Sequence, residues 1–450
     1  MSSSASINLS ERRVEARGLR LATRLRTHTQ LIAISVIGAI YVLQALTPMR
    51  LDNDSVVYLN MARNMTDGLP LQSTGLPAGY PAFISLLERI GLGVSWLFVL
   101  ANCAFIAAGL VAVAYLFDRR DDGRQSWVVP LTMLSVPVIR YIAMPMPEAM
   151  FFGISLVAVA LMTAATRSSG RRRFALLGAA LVLTAIAITV RLVGFALVPA
   201  LVWACLHRED QQKTLRRSWT RREKWMAWAT IITTSVVALL LLGDSLVKYA
   251  YEAGLKYLDP MVLSLIRVQI RGFFARIGEV AINLPSSQFG GLRLVLVALG
   301  VTASIWVATR VRLRAPRTPA SIYFVTFVLV LLLWPYNALR LWLPIVPLLI
   351  GYAERATLRF EPGRKWNAFV TVYRAWFVVA GLAALAYTTR ITLSGENFSK
   401  VYGKGAGMSL PDPKTGAVNE EHNRRALALK KRYGNPFLIS LPDWSAGAKR

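Results

Sequence analysis

The chain has 450 residues, 55% of them apolar and 17% charged, with a mean hydropathy of +0.45 and a net charge of +28. Soluble domains carry about a quarter charged residues, so this composition excludes intrinsic disorder, a coiled coil and a small disulfide scaffold. The two cysteines, Cys103 and Cys205, each lie inside an apolar run and frame nothing.

A helix that crosses the hydrocarbon core needs about 20 apolar residues. In chain order, apolar runs near 31–48, 93–117, 126–144, 148–166, 174–190, 192–206, 225–247, 292–309, 322–338, 341–352 and 375–389 predict an all-α membrane protein of about eleven transmembrane helices. No cleavage site follows the first run, which is expected to stay as an uncleaved anchor. The block 174–206 is too long for one span, and Arg191 divides it into a hairpin. No internal repeat stands out, so the inverted repeat of many secondary transporters is missing. Residues 1–30 then form a cytoplasmic tail, 31–389 the membrane domain, and 390–450 a small extracytoplasmic segment with a helical-looking stretch around 419–432.

Charge sets the orientation. With the N-terminus in the cytoplasm, segments 1–30, 118–125, 167–173, 207–224, 310–317 and 353–374 fall inside and hold 29 of the 52 basic residues. Short basic loops on one side are the positive-inside pattern. Topology thus explains most of the excess, and no compact basic domain with interleaved aromatics is left over to bind nucleic acid. The loops 49–92 and 248–291 and the tail 390–450 face outward, which in a Gram-negative cell would be the periplasm.

The first outer loop is the most informative stretch. Asp52-Asn-Asp54-Ser begins a short helix beside the membrane, on which Asp54 and Tyr58 share a face. Two readings of the aspartates stand: helix capping and solvation, or a carboxylate held at the membrane surface, where partial burial prepares it as a base. Gly79-Tyr80-Pro81 then breaks the loop before the chain re-enters as 82–92. Tyr80 reads as an interfacial aromatic or as a substrate contact.

Glu148 follows Pro147 and opens an apolar helix at the outer surface, either complementing the helix dipole or facing the same aqueous pocket as Asp54. Arg191 and Arg340 are flanked by apolar residues, and charges at such depth are functional candidates unless they snorkel to headgroups. All four residues come out on the outer side. The stretch 261–283 reads as an interfacial amphipathic helix, with Leu265, Ile266, Ile270, Phe273, Phe274 and Ile277 opposite Arg267 and Arg271. Those arginines suit a lipid phosphate, or anionic lipid in general.

Missing motifs narrow the chemistry. The histidines His28, His207 and His422 have no zinc spacing, and no Walker loop, dinucleotide fingerprint or G-x-S-x-G elbow occurs. Any energy therefore arrives with the substrate.

Asp54-x-x-x-Tyr58-x-x-x-x-Arg63-x-Met65, just after the first span, resembles the Asp-Glu-x-x-Tyr loop of bacterial clan C (GT-C) glycosyltransferases, a group that includes protein O-mannosyltransferases and the lipid A aminoarabinose transferase. Gly79-Tyr80-Pro81 is similar to that family's re-entry, Pro147-Glu148 to the acidic start of its fourth span, and Arg191 to a basic residue before glycine. Arg340-Leu-Trp-Leu-Pro344-Ile-Val-Pro347 resembles its Arg-Tyr-Leu-Leu-Pro-x-x-Pro segment. The resemblance covers roughly residues 31–350. It departs at one position, where the family's Asp-Glu pair is Asp54-Ser55; Asp52, two residues upstream, is the candidate replacement.

The resemblance implies a GT-C-like helical bundle with juxtamembrane helices on its outer face. It also implies inverting transfer of a sugar from a polyprenyl-phosphate donor to a hydroxyl of a protein, lipid or glycan. Asp54 is then the expected base, with Glu148 orienting the acceptor or sharing that work. Arg191, Arg340 or the pair Arg267 and Arg271 would stabilise the leaving phosphate, while Asp52, Tyr58, Arg63 and Tyr80 join the substrate contacts. Asp52, Asp54 and Glu148 are hard oxygen ligands suited to a divalent cation, which the sequence does not require. Two alternatives stand beside this reading: a polysaccharide polymerase or ligase, with its working arginines in the middle loop, and a lipid or glycan transporter.

Overall fold

Apolar length decides the elements here. The computed structural model describes residues 29–47, 49–51, 53–70, 76–117, 127–207, 262–284, 293–311, 318–333, 338–358, 364–394, 428–429 and 431–434, and every regular element among them is helical. The expected span 225–247, most of the basic loop 207–224, Asp52 and most of the tail lie outside the described residues.

The first span, α1 (Thr29–Leu46), ends in a 3-10 turn and leads to α2 (Asn53–Thr66) and α3 (Gly79–Arg89), the two helices of the first outer loop. Then come α4 (Ser95–Phe117), the short α5 (Val128–Met133) and α6 (Val136–Tyr141), and the pair α7 (Pro147–Thr166) and α8 (Gly170–Val190). Arg191 interrupts the next run with extended backbone, followed by a 3-10 turn (Leu192–Leu197) and α9 (Val198–Leu206). After the undescribed middle come α10 (Val262–Ile282), α11 (Arg293–Val311), α12 (Pro319–Leu333), a 3-10 turn (Leu339–Trp342), α13 (Val346–Leu358) and α14 (Arg364–Ser394). Among the described residues, five helices are long and apolar enough to cross a membrane: α1, α4, α7, α8 and the Lys365–Arg390 part of α14.

Small residues let the central helices meet closely. A Cβ on Gly153 of α7 would stand 2.4 Å from the Phe105 carbonyl oxygen of α4, and one on Gly109 would strike the Phe152 ring. Each glycine is thus a contact point where backbone replaces side chain. At the end of the bundle that carries the basic loops, Glu354 accepts the Trp127 N–H at 3.0 Å and pairs with Arg374 at 3.2 Å.

One sequence expectation needs correction. The run 126–144 is not one continuous helix but α5 and α6, broken at Leu134 and Ser135 ahead of Pro137, which cannot continue a hydrogen-bond ladder. The broken backbone is satisfied from a distance. The Asn283 amide accepts the Val136 N–H at 2.9 Å and donates to the carbonyls of Leu134 (2.8 Å) and Phe377 (3.0 Å). The stretch 261–283, read from the sequence as an interfacial amphipathic helix, packs as α10 on α11. Gly278 and Gly300 bring their backbones so close that a Cβ would stand about 2 Å from the opposing carbonyl oxygens of Leu296 and Phe274.

Candidate active site

The hairpin α7–α8 does the first part of the positioning. A helix of 20 residues is about 30 Å long, so the N-terminus of α7 and the C-terminus of α8 meet at one end while the Arg167–Arg173 turn lies at the other. Glu148 is the second residue of α7, after Pro147, and Arg191 immediately follows α8. The turn before α7 is held by Asn102 of α4, whose amide donates to the carbonyls of Ile142 (3.0 Å) and Met144 (2.7 Å).

Two other elements converge on that end. Asp54 lies in the first turn of α2, where a carboxylate also complements the helix dipole. Arg340 projects from the 3-10 turn before α13, whose neighbours Leu339, Leu341 and Trp342 are buried, Trp342 against Phe273 of α10. Arg191 Nη1 donates to Glu148 Oε1. Arg340 Nη2 lies 2.5 Å from Asp54 Oδ2, and its Nε stands 3.7 Å from that same Glu148 oxygen. Four charges from four places in the chain thus form one chain of ion pairs: Arg191, Glu148, Arg340, Asp54. They cancel to zero. The carboxylates differ in access, since the Glu148 side chain is 1% exposed and that of Asp54 32%.

Two tyrosines back this centre. Tyr58 shares the Asp54 face of α2, and its ring meets that of Tyr80 edge-on at 5.8 Å. Tyr80 is brought in by Gly79, where a Cβ would stand 2.6 Å from the Thr189 carbonyl carbon; only glycine lets the start of α3 seat against the end of α8. Burial pushes the Tyr58 hydroxyl up to about 12, with Arg191 and Arg340 opposing and Glu148 and Asp54 adding to the rise. Burial also carries Tyr80 well above the usual phenol range, reinforced by Glu148. Both therefore stay neutral at physiological pH. Tyr80 Oη and Glu148 Oε2 are buried without a hydrogen-bond partner among the described residues, an arrangement that costs energy unless a ligand group completes it.

Asp54, Glu148, Arg191, Arg340, Tyr58 and Tyr80 are therefore brought together. Arg63 is not. It lies near the far end of α2, roughly 14 Å along the helix from Asp54 at 1.5 Å per residue, and pairs with Asp67 at 3.3 Å. Arg271 is exposed on α10 and takes no part in these ion pairs; the side chain of Arg267 and all of Asp52 lie outside the described residues. Asn102 was missed, although a lone amide within an apolar span is the available signal, and Asn283, just past α10, carried no such signal.

No protein-family model matches the chain, and no curated protein sequence matches it at significance. Solved structures do. ArnT from Cupriavidus metallidurans bound to undecaprenyl phosphate aligns over 82% of this chain and 72% of its own, at 16% identity and a TM-score of 0.45. The Archaeoglobus fulgidus oligosaccharyltransferase AglB, in complex with an inhibitory peptide and a dolichol-phosphate, aligns over 93% of this chain at 11% identity and a TM-score of 0.48. This chain spans 61% of that protein.

Among the described residues, no three carboxylate, imidazole or thiol groups converge at this centre, and both of its carboxylates are engaged by guanidinium groups. Chemically, the arrangement offers a solvent-accessible carboxylate to take a proton and two guanidinium groups to meet an anion.

Proposed function

We propose that this chain is a membrane glycosyltransferase of the GT-C type, which transfers a sugar from a polyprenyl-phosphate donor to a hydroxyl acceptor with inversion. The observation that carries it is the ion-pair chain through Arg340, which joins Asp54 to Glu148 and Arg191, the charged residues that the sequence motifs single out.

The chemistry is a single displacement. The acceptor oxygen forms a bond to the anomeric carbon as the bond from that carbon to the phosphate oxygen breaks, and one displacement inverts the configuration. Asp54, the accessible carboxylate, takes the acceptor proton. Arg340 and Arg191 stabilise the phosphate that leaves on its lipid. Glu148 is too enclosed to meet an acceptor freely; one of its oxygens accepts from Arg191 and attracts Arg340 across 3.7 Å, which holds both guanidinium groups in place. Its other oxygen and the Tyr80 hydroxyl offer hydrogen bonds to the sugar.

Sidedness supports work on the outer face of a bacterial inner membrane. The Arg167–Arg173 turn sits at the opposite end of α7 and α8 from Glu148 and Arg191, and basic turns face the cytoplasm. Donor and acceptor would thus meet on the extracytoplasmic side, the acceptor being an exported protein, a lipid or a glycan.

The test uses purified protein in proteoliposomes, with undecaprenyl phosphate as the first lipid carrier for the donor sugar. Asp54→Asn should lower sugar release by about a thousandfold or more, the scale seen when an essential catalytic group is lost. Transfer at the wild-type rate would remove Asp54 as base.

A further inference from the structure

We propose that Arg432 and Tyr433 are positioning residues, clamping the far ends of α2 and α3 together and so setting where Asp54 and Tyr80 stand at the near ends. The activity arm of this inference rests on the function proposed above; the structural arm does not.

Beyond α14, residues 428–429 and 431–434 are seated against the first outer loop. Their seat is specific. Arg432 Nη2 bridges Asp67 Oδ1 (3.1 Å), just past α2, and Glu88 Oε2 (2.8 Å), in the last turn of α3. The Tyr433 hydroxyl donates to the other Glu88 oxygen, so both oxygens of one carboxylate are taken by adjacent tail residues. Tyr433 also accepts the Ser95 N–H at 3.1 Å through its carbonyl and lays its ring edge-on to Phe98 at 5.3 Å, which anchors the tail to α4. Leu429 and Tyr433 are both buried.

Without the tail, α2 and α3 are held to each other at these ends by the Thr66–Ser85 hydroxyl pair (2.9 Å) and by Arg89 donating to the Met65 carbonyl (2.7 Å). Both are interactions of modest strength at a loop. The tail adds two charge-assisted contacts and an apolar plug, and it ties the pair to a long membrane helix. Helices are stiff rods, so fixing one end of α2 and α3 fixes the other. A misplacement of about 1 Å at a reacting group can cost a hundredfold in rate, which gives contacts so far from the ion pairs a route to catalysis.

The experiment uses the full chain in proteoliposomes. Arg432→Ala should lower kcat tenfold or more while the donor KM stays within twofold, and Arg432→Lys should recover much of the loss because it keeps the charge. Hydrogen exchange should quicken in 53–66 and 79–89 and stay unchanged in α7 and α8. Tyr433→Phe, which removes one hydroxyl, gives a milder form of the same pattern should Arg432→Ala fail to fold. Wild-type kcat and exchange in both variants would overturn the inference, as would exchange that quickens throughout the bundle. A wild-type protein that releases no sugar from any polyprenyl-phosphate donor would instead sink the function, leaving the exchange result to judge the clamp.

Discussion

Arg340 places its Nη2 2.5 Å from the Asp54 carboxylate while its Nε faces Glu148 at 3.7 Å. One guanidinium therefore spans the accessible acid and the enclosed one. A lysine in its place would offer a single ammonium without the planar fork. Arg340→Ala should lower sugar transfer by about a hundredfold or more, the scale for removing one transition-state donor, and Arg340→Lys should recover only a fraction. Steady-state rates with a purified donor check both.

Glu148 is the hinge of the electrostatics, because removing one partner of a buried ion pair leaves a buried charge uncompensated. Glu148→Gln should lower stability by about 3–5 kcal/mol on that account. The double variant Glu148→Gln with Arg191→Gln should lose less than the sum of the two single changes, since the residues are in direct contact. Thermal unfolding in detergent measures the cycle.

The Tyr58 hydroxyl, pushed up to about 12 by burial, makes a prediction at alkaline pH. A group whose folded value exceeds its ordinary value of 10.0 adds stability that is fully present below pH 10 and is lost as the pH rises through about 12. The contribution is on the order of 3 kcal/mol at most, from about 1.4 kcal/mol per unit. The unfolding midpoint of the wild type should therefore fall more steeply between pH 10 and pH 12 than that of Tyr58→Phe.

Gly79→Ala tests the seat of α3. Its new methyl group would stand 2.6 Å from the Thr189 backbone, which has no flexible end to move aside. The start of α3 must shift, displacing Tyr80. Transfer should fall by tenfold or more, with a stability loss of about 1–3 kcal/mol as for other overpacked contacts.

Charge at the edge of apolar runs made much of the site legible. Asp54, Glu148, Arg191 and Arg340 each flank or interrupt such a run on the same side of the membrane, and a residue of that kind rarely lies there without a partner. Spacing along one helix was a weaker guide. Arg63 follows Asp54 on α2, yet it belongs to the other end of the helix and to Asp67. Pro137 marked the break between α5 and α6, but the amide that satisfies it left no local trace, because it lies 147 residues away. Arg432 and Tyr433 read as an ordinary polar tail until Asp67, Glu88 and Phe98 appeared beside them.

That distant amide bears on biosynthesis. Val136 and Leu134 leave the ribosome long before Asn283, so during translation the gap between the two short helices meets no side chain able to close it. Exposed peptide groups are not tolerated against lipid tails. The Val136 N–H and the Leu134 carbonyl therefore gain this partner only after Asn283 has been synthesised, so the gap between the two short helices is closed late.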